Sequence, residues 1–337
     1  MSAAPRDLPV RDVGAEPAVI AVYWFSQTGQ LRECLEHFLE PLVEAGCDVR
    51  WIEVTTSGDF PFPWSLGRFF GVFPEAADAE ATVDISIEDG GRPAGDDVDL
   101  VLVAHQVWYL NPSIPMRTLV RRYPDLVTDL PVVQFIACRN MWASAAVSMR
   151  TMLTAAGARQ IGVIAVTDTA NQLVSLFTTL RWLLLGRREA SFGLRAAGVP
   201  DAEHQRLRRL GRQLVEAGAA SGERVTAVMP EVLVRAESAR ENAAVIGPDL
   251  LAGAAFRFAA GRIRRHTRPG GVGEKAALAV FVSALGSAIA IGLPVATVAR
   301  IAFRHRVDAA ITKYLDRTLY AVADDGVPVR PRHEVPL

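Results

Sequence analysis

The stretch that most constrains this chain is Ala18-Val-Ile-Ala-Val-Tyr-Trp-Phe-Ser-Gln-Thr-Gly-Gln30, where an uninterrupted apolar run meets a hydroxyl-bearing turn. Val19 to Phe25 put β-branched and aromatic side chains on both parities, the pattern of a parallel strand buried on both faces. Ser26, Thr28 and Gly29 follow, and Leu31, Leu35, Phe38, Leu39, Leu42 and Val43 then recur at helical spacing as far as Gly46. A strand that feeds a helix in this way aims free backbone N–H groups and the positive end of the helix dipole at one spot. Hydroxyls at that spot suit a phosphate, although the same turn also serves as a plain helix start.

Four further buried runs follow: Asp48–Val54, Asp99–Ala104, Pro131–Ala137 and Ile161–Val166, with helical patterns in most of the intervals. The expected fold is α/β, a doubly wound five-stranded parallel sheet of order 2-1-3-4-5, with a ligand beyond the strand ends where strands one and three diverge. Three loops should meet there: Ser26–Gln30, His105–Pro115 and Cys138–Trp142. Six of the 25 aromatic residues fall between Phe60 and Phe73, at the end of strand two. They read either as a satellite packing cluster or as an apolar substrate wall. Residues 76–97 are acidic and glycine-rich, a loop or an edge hairpin.

With 337 residues and a formal charge of -1, the chain can bury a large core and gives no argument for nucleic acid. Cys34, Cys47 and Cys138 are too scattered for a disulfide framework or a metal site, which fits a reducing cytoplasm. Residues 1–17 read as a flexible leader without a signal core, leaving residues 18–170 as a cytoplasmic α/β domain.

The second half divides into a helical extension (171–247), a helical tail (248–322) and a polar end (323–337). Asn171–Gly186 is an apolar helix suited to burial, to a membrane interface or to covering the ligand edge. Asp201–Gly218 reads as a basic helix with a solvated face. Ala276–Ala299 holds 24 residues without a charge, enough to cross a bilayer. Basic residues stand on both sides of it, so one tilted span, a re-entrant hairpin about Gly292-Leu-Pro294 and a buried helix hairpin all remain open. The expected location is the cytoplasmic membrane.

Ser26-Gln27-Thr28-Gly29-Gln30 resembles the phosphate loop of flavodoxin-like proteins, which hold the FMN monophosphate without lysine or arginine; Leu31 stands where that pattern has another hydroxyl. With YWFSQTGQL, PFPWS followed by FFGVFPE, QVWYLNPSIP and CRNMW taken together, residues 18–190 resemble the family of dialkylresorcinol condensing enzymes. That resemblance implies FMN as cofactor and an aromatase role, dehydrogenation of a dialkyl cyclohexane-1,3-dione to a resorcinol. It also implies a lipid-like substrate and a separate ketosynthase as pathway partner. FMN would be bound by Ser26, Gln27, Thr28, Gly29, Gln30, Trp108, Tyr109, Asn111, Cys138, Arg139 and Asn140, with Trp108 and Tyr109 bracketing the ring. Arg139 and Asn140 would hold flavin or substrate oxygens, and His105 is the candidate proton acceptor. The competing classes are a membrane-tethered FMN electron carrier and a flavin-free scaffold for the ketosynthase.

Overall fold

The computed structural model describes residues 18–57, 60–88, 97–168, 172–191, 193–239, 241–292, 295, 298 and 301–320. The leader 1–17, the polar end 323–337, residues 89–96 and much of 293–300 lie outside the described residues.

The apolar runs become strands of one sheet: β1 (Val19–Trp24), β2 (Asp48–Thr56), β3 (Ile85–Glu88), β4 (Leu100–Trp108), β5 (Asn111–Pro112), β6 (Pro131–Cys138) and β7 (Arg159–Thr167). The strand order is β3-β2-β1-β4-β6-β7, and β1, β2, β4, β6 and β7 run parallel. Two short antiparallel strands go beyond the five expected: β3 extends the edge of β2, and β5 turns back on the end of β4.

The helices are α1 (Gln30–Glu44), α2 (Leu66–Gly71), α3 (Phe73–Ala77), α4 (Ile114–Arg122), α5 (Ala143–Ala155), α6 (Gln172–Leu185), α7 (Asp201–Ser221), α8 (Val225–Arg235), α9 (Ala243–His266), α10 (Val272–Ser287) and α11 (Arg304–Thr318). On one face of the sheet Ile20, Val22, Leu102 and Phe135 pack with Leu35 and Phe38 of α1, Leu207 and Leu210 of α7, and Met229 and Leu233 of α8. On the other, Tyr23, Val101 and Val103 pack with Met116 and Leu119 of α4 and Met149 and Leu153 of α5. Helix α7 crosses α1 at Gly211, where a Cβ would stand 2.5 Å from the Phe38 carbonyl oxygen. The face of α7 read as solvated is therefore partly interior. Arg206 is buried, pairs with Glu203 at 2.7 Å and donates to the Ala165 carbonyl at 2.9 Å. Ser238 donates to the Val163 carbonyl and accepts the Ala165 N–H through its own carbonyl, so the outer edge of β7 is partly closed.

Two buried polar groups fix the layer of α4 and α5. Arg117 is fully buried and donates to the carbonyls of Glu75, Ala76 and Ala81 at 2.6, 2.7 and 3.2 Å, so one guanidinium ties α4 to the aromatic insertion. His105 belongs to the sheet, because β4 runs on to Trp108 instead of ending at Ala104. Its ring has no exposed surface, and its Nε2 lies 3.3 Å from Gln134 Oε1, while Gln134 donates to Gln160 at 2.5 Å. Burial pushes the imidazole down from 6.5 to about 4, against the raising effect of the hydrogen bonds to Gln134 and Gln106.

Both groups carry stability. Replacing Arg117 by Met takes the donor from two buried carbonyls and one part-buried carbonyl and is expected to cost about 3 kcal/mol in urea unfolding. For His105 the folded-state value lies below the unfolded one, so between pH 6.5 and 4 the unfolded chain binds the extra proton. Its contribution is whole above pH 6.5 and is lost as pH falls toward 4, on the order of 3 kcal/mol. The His105→Gln variant is expected to flatten that acid limb, measured by urea midpoints across the same range.

Candidate functional site

The carboxyl ends of β1, β4, β6 and β7 open into one cavity of about 260 Å3. Gln27, Thr28 and Gln30 reach it from the first turn, Gln106, Trp108 and Tyr109 from β4 and its turn, Cys138 and Arg139 from β6, and Asp168 from β7. Helix α6 lays Leu176, Leu180 and Leu183 across it, and Trp64 and Phe69 of the aromatic insertion complete the wall.

The phosphate-like turn has unmet donors. Gly29, at φ +79°, takes the left-handed conformation that starts α1, and no side chain caps that helix. Ser26 Oγ and Gln30 Nε2 are buried with no hydrogen-bond partner. Gly198 lies so close over Gln30 that a Cβ there would collide with its amide. Two orphaned donors at a helix N-terminus are what a group rich in acceptor oxygens would satisfy, and burying them without one is costly. Gln27 ties this turn to its neighbours: its N–H donates to Gln106 Oε1 at 3.1 Å, and its side-chain amide donates to the carbonyls of Phe60 and Pro61.

The opposite wall is aromatic. Trp108 meets Phe25, Phe60 and Trp64 at ring distances of 5.8, 5.0 and 6.0 Å, all edge to face. Tyr109 and Leu110 form the two-residue turn between β4 and β5, with φ of 48° and 63°. Bulky side chains in that conformation are strained. The turn is held by Tyr109 Oη, which donates to the Phe69 carbonyl at 2.6 Å, and by Asn111 Nδ2, which donates to the Ala77 carbonyl. Burial pushes the Tyr109 phenol up, so it serves as a neutral wall.

At the third loop, burial pushes the Cys138 thiol up, with Asp249 adding to the effect, so it stays protonated and is no nucleophile. Burial draws the Arg139 guanidinium down, against Cys138 and Asp168, and leaves it the cation lining the cavity among the described residues. Asp168 accepts from Ser175 Oγ at 2.8 Å and from Arg195 at 2.6 Å, so its carboxylate anchors both α6 and the segment before α7. The Trp64 N–H to Leu183 carbonyl bond, 2.7 Å, holds the other end of α6 down.

Of the residues expected at the site, Gln27, Thr28, Gln30, Trp108, Tyr109, Cys138 and Arg139 line this cavity. Ser26 and Gly29 form the turn behind it. Asn140 neighbours Arg139 but is not among the lining residues, and its buried Oδ1 has no partner. Asn111 and His105 are buried away from the lining, Asn111 as a brace for α3 and His105 inside the sheet, so neither has the access its expected role requires. Asp168 and Gly198 were not anticipated. Asp168 sits just past the fifth apolar run, so the rule that selected the other three loops also points to it.

No family model matches the chain, and no curated protein matches it. Solved structures similar to it include a flavoprotein from Lactobacillus acidophilus NCFM in complex with FMN, at 18% identity over 45% of this chain and 93% of that one, with a TM-score of 0.35. Two proteins assigned as flavoproteins, from Bacteroides eggerthii DSM 20697 and Bacteroides uniformis ATCC 8492, match at 14% and 11% identity. Each covers 48% of this chain, and 96% and 98% of its own length respectively, with TM-scores of 0.35.

Proposed function

We propose that the chain is an FMN-dependent aromatase that dehydrogenates a dialkyl cyclohexane-1,3-dione to a dialkylresorcinol at the membrane. The observation that carries this reading is the cavity itself: the unmet donor of Gln30 at one end, that of Ser26 in the turn behind it, and an aromatic and aliphatic wall beside them. The resemblance of residues 18–190 to dialkylresorcinol condensing enzymes supplies the substrate class.

Ser26, Thr28 and the first N–H groups of α1 would take the phosphate, and Trp108 and Tyr109 would face the ring. Conversion of the dione to the resorcinol removes two hydrogens, one as hydride and one as proton, and FMN supplies the two-electron acceptor. The chain's own residues orient and exclude water. Arg139 offers fixed donors to a developing enolate oxygen, a charge that an enclosed cation stabilises well. Leu176, Leu180 and Leu183 give alkyl chains an apolar surface. A 1,3-dione enolises readily, so the proton needs no strong base. Neutral His105, buried and bonded to Gln134, has no part in moving it. The cavity is smaller than the roughly 300–1,000 Å3 of common ligand sites. Cofactor and substrate together would therefore extend beyond it through its open side.

Full-length protein purified in mild detergent is expected to be yellow, to release FMN on denaturation, and to form a resorcinol when a dialkyl cyclohexane-1,3-dione is added under air. Bleaching only with a reductase would identify an electron carrier, and colourless inactive protein a scaffold. Combining Ser26→Ala with Thr28→Val is expected to weaken FMN binding by roughly tenfold or more, read by fluorescence titration. Arg139→Met is expected to retain FMN and lower kcat on the order of tenfold to a hundredfold.

A further inference from the structure

The tail does more than extend the chain. From Leu250 to Val307 the sequence holds nine Lys and Arg residues and a single acid, Glu274, in a protein whose total charge is -1. Six of those cations lie on the α9–α10 hairpin, so the hairpin is net basic while the chain as a whole is net acidic.

That hairpin is fixed against the body along one side. Asp249 near the start of α9 accepts the Ala143 N–H at 2.7 Å, Arg257 donates to Ser144 Oγ at 2.9 Å, and Arg264 pairs with Asp78. Helix α10 is attached near its middle, where Phe281 stacks on fully buried Phe73 at 3.7 Å and 19°, with Ala277 and Leu278 in the same cluster. Among the described residues its outward side has no partner: Val272, Val280 and Ile291 are 84%, 70% and 67% exposed. Continued through Gly292, this helix is 21 residues long, about 31 Å and sufficient to span a bilayer. Its docked midpoint argues against that. A helix crossing the membrane would carry Phe281 to the hydrocarbon centre and take Phe73, Tyr109 and the sheet end with it. A helix lying flat meets no such conflict, since body and lipid then occupy opposite sides of it.

We infer that α10 lies in the plane of an anionic bilayer surface, with its outward Val and Ile side in the acyl boundary and Arg262, Arg265, Arg268 and Lys275 on the headgroups. The occupant is anionic lipid because those four cations are exposed at the turn into α10 and Glu274 is already engaged by the Gly270 N–H at 2.6 Å. This deepens the membrane part of the reading above. It also places the wall shared by the cavity and the tail beside the lipid: Tyr109 lines the cavity and lies 6.4 Å from Phe256 of α9 and 5.1 Å from Phe73. An alkylated substrate would then reach the cavity directly from the membrane.

The test is flotation of the full-length protein with phosphatidylcholine vesicles, with and without phosphatidylglycerol, while bound flavin is measured separately. Anionic vesicles are expected to capture roughly tenfold more protein, high salt or an alkaline wash to release it, and the combined change of Arg262, Arg265, Arg268 and Lys275 to Gln to remove the preference. Val280→Asp, at an exposed position, is expected to weaken capture without changing flavin content. Equal capture by neutral vesicles, or retention through the alkaline wash, would overturn the proposal in favour of a spanning helix. No capture by either vesicle, with a dimer in solution, would overturn it in favour of a second copy covering α10. Flavin content is independent of all these outcomes, so failure here is separable from failure of the aromatase reading.

Discussion

A parallel sheet has to be covered on both faces, because its crossover helices leave no side for water and its strands are apolar on both parities. In this chain α7 and α8, from the second half, meet part of that requirement. Helices α1, α7 and α8 jointly cover one face, and α7 lies close enough to α1 that only glycine fits at position 211. Arg206 then enters the interior as part of the same layer, satisfied by Glu203 and by a carbonyl of β7. Removing the extension would uncover that face of the sheet.

The cavity inherits its position from that arrangement. Because β1, β4, β6 and β7 run parallel, their ends reach the same edge, and each contributes a loop whose position is set by a buried strand. Helix α6 closes the edge, fastened at Asp168 through Ser175 and at Trp64 through Leu183. Between these bonds Trp182 is buried and meets Phe62 edge to face at 5.9 Å. The cover is thus held by packing as well as by hydrogen bonds.

Much of this was legible in the residues. Continuous β-branched runs marked the five parallel strands, and the turn Ser26–Gln30 and the loops carrying Trp108 and Arg139 marked the edge they share. The misplacements have a common physical origin. His105 looked like the end of a strand because the apolar run stops at Ala104, but a buried Gln134 and Gln160 in the neighbouring strands give a polar ring a partner, so the strand continues. Asn111, which the resemblance put against FMN, braces the chain of α3. In both cases the deciding partner is more than twenty residues away, and periodicity within a window carries no information about it. Arg206 was misread for the same reason: its partner on β7 lies some forty residues earlier.

The turn Tyr109-Leu110 shows how these long-range partners set the geometry of the site. Two bulky residues in the left-handed region cost of order 1–3 kcal/mol each, offset in part by the β4–β5 pairing that flanks them. The rest of the offset comes from the aromatic insertion and α3 beyond it: the carbonyls of Phe69 and Ala77 accept from Tyr109 and Asn111, and those of Glu75, Ala76 and Ala81 accept from Arg117. The insertion is in turn backed by Phe256 and Phe281 of the tail through Phe73. The orientation of Tyr109 toward the cavity thus depends on three segments distant in sequence. A contact made by the tail acts on that wall through closely packed rings, whose arrangement has little freedom to change one ring at a time.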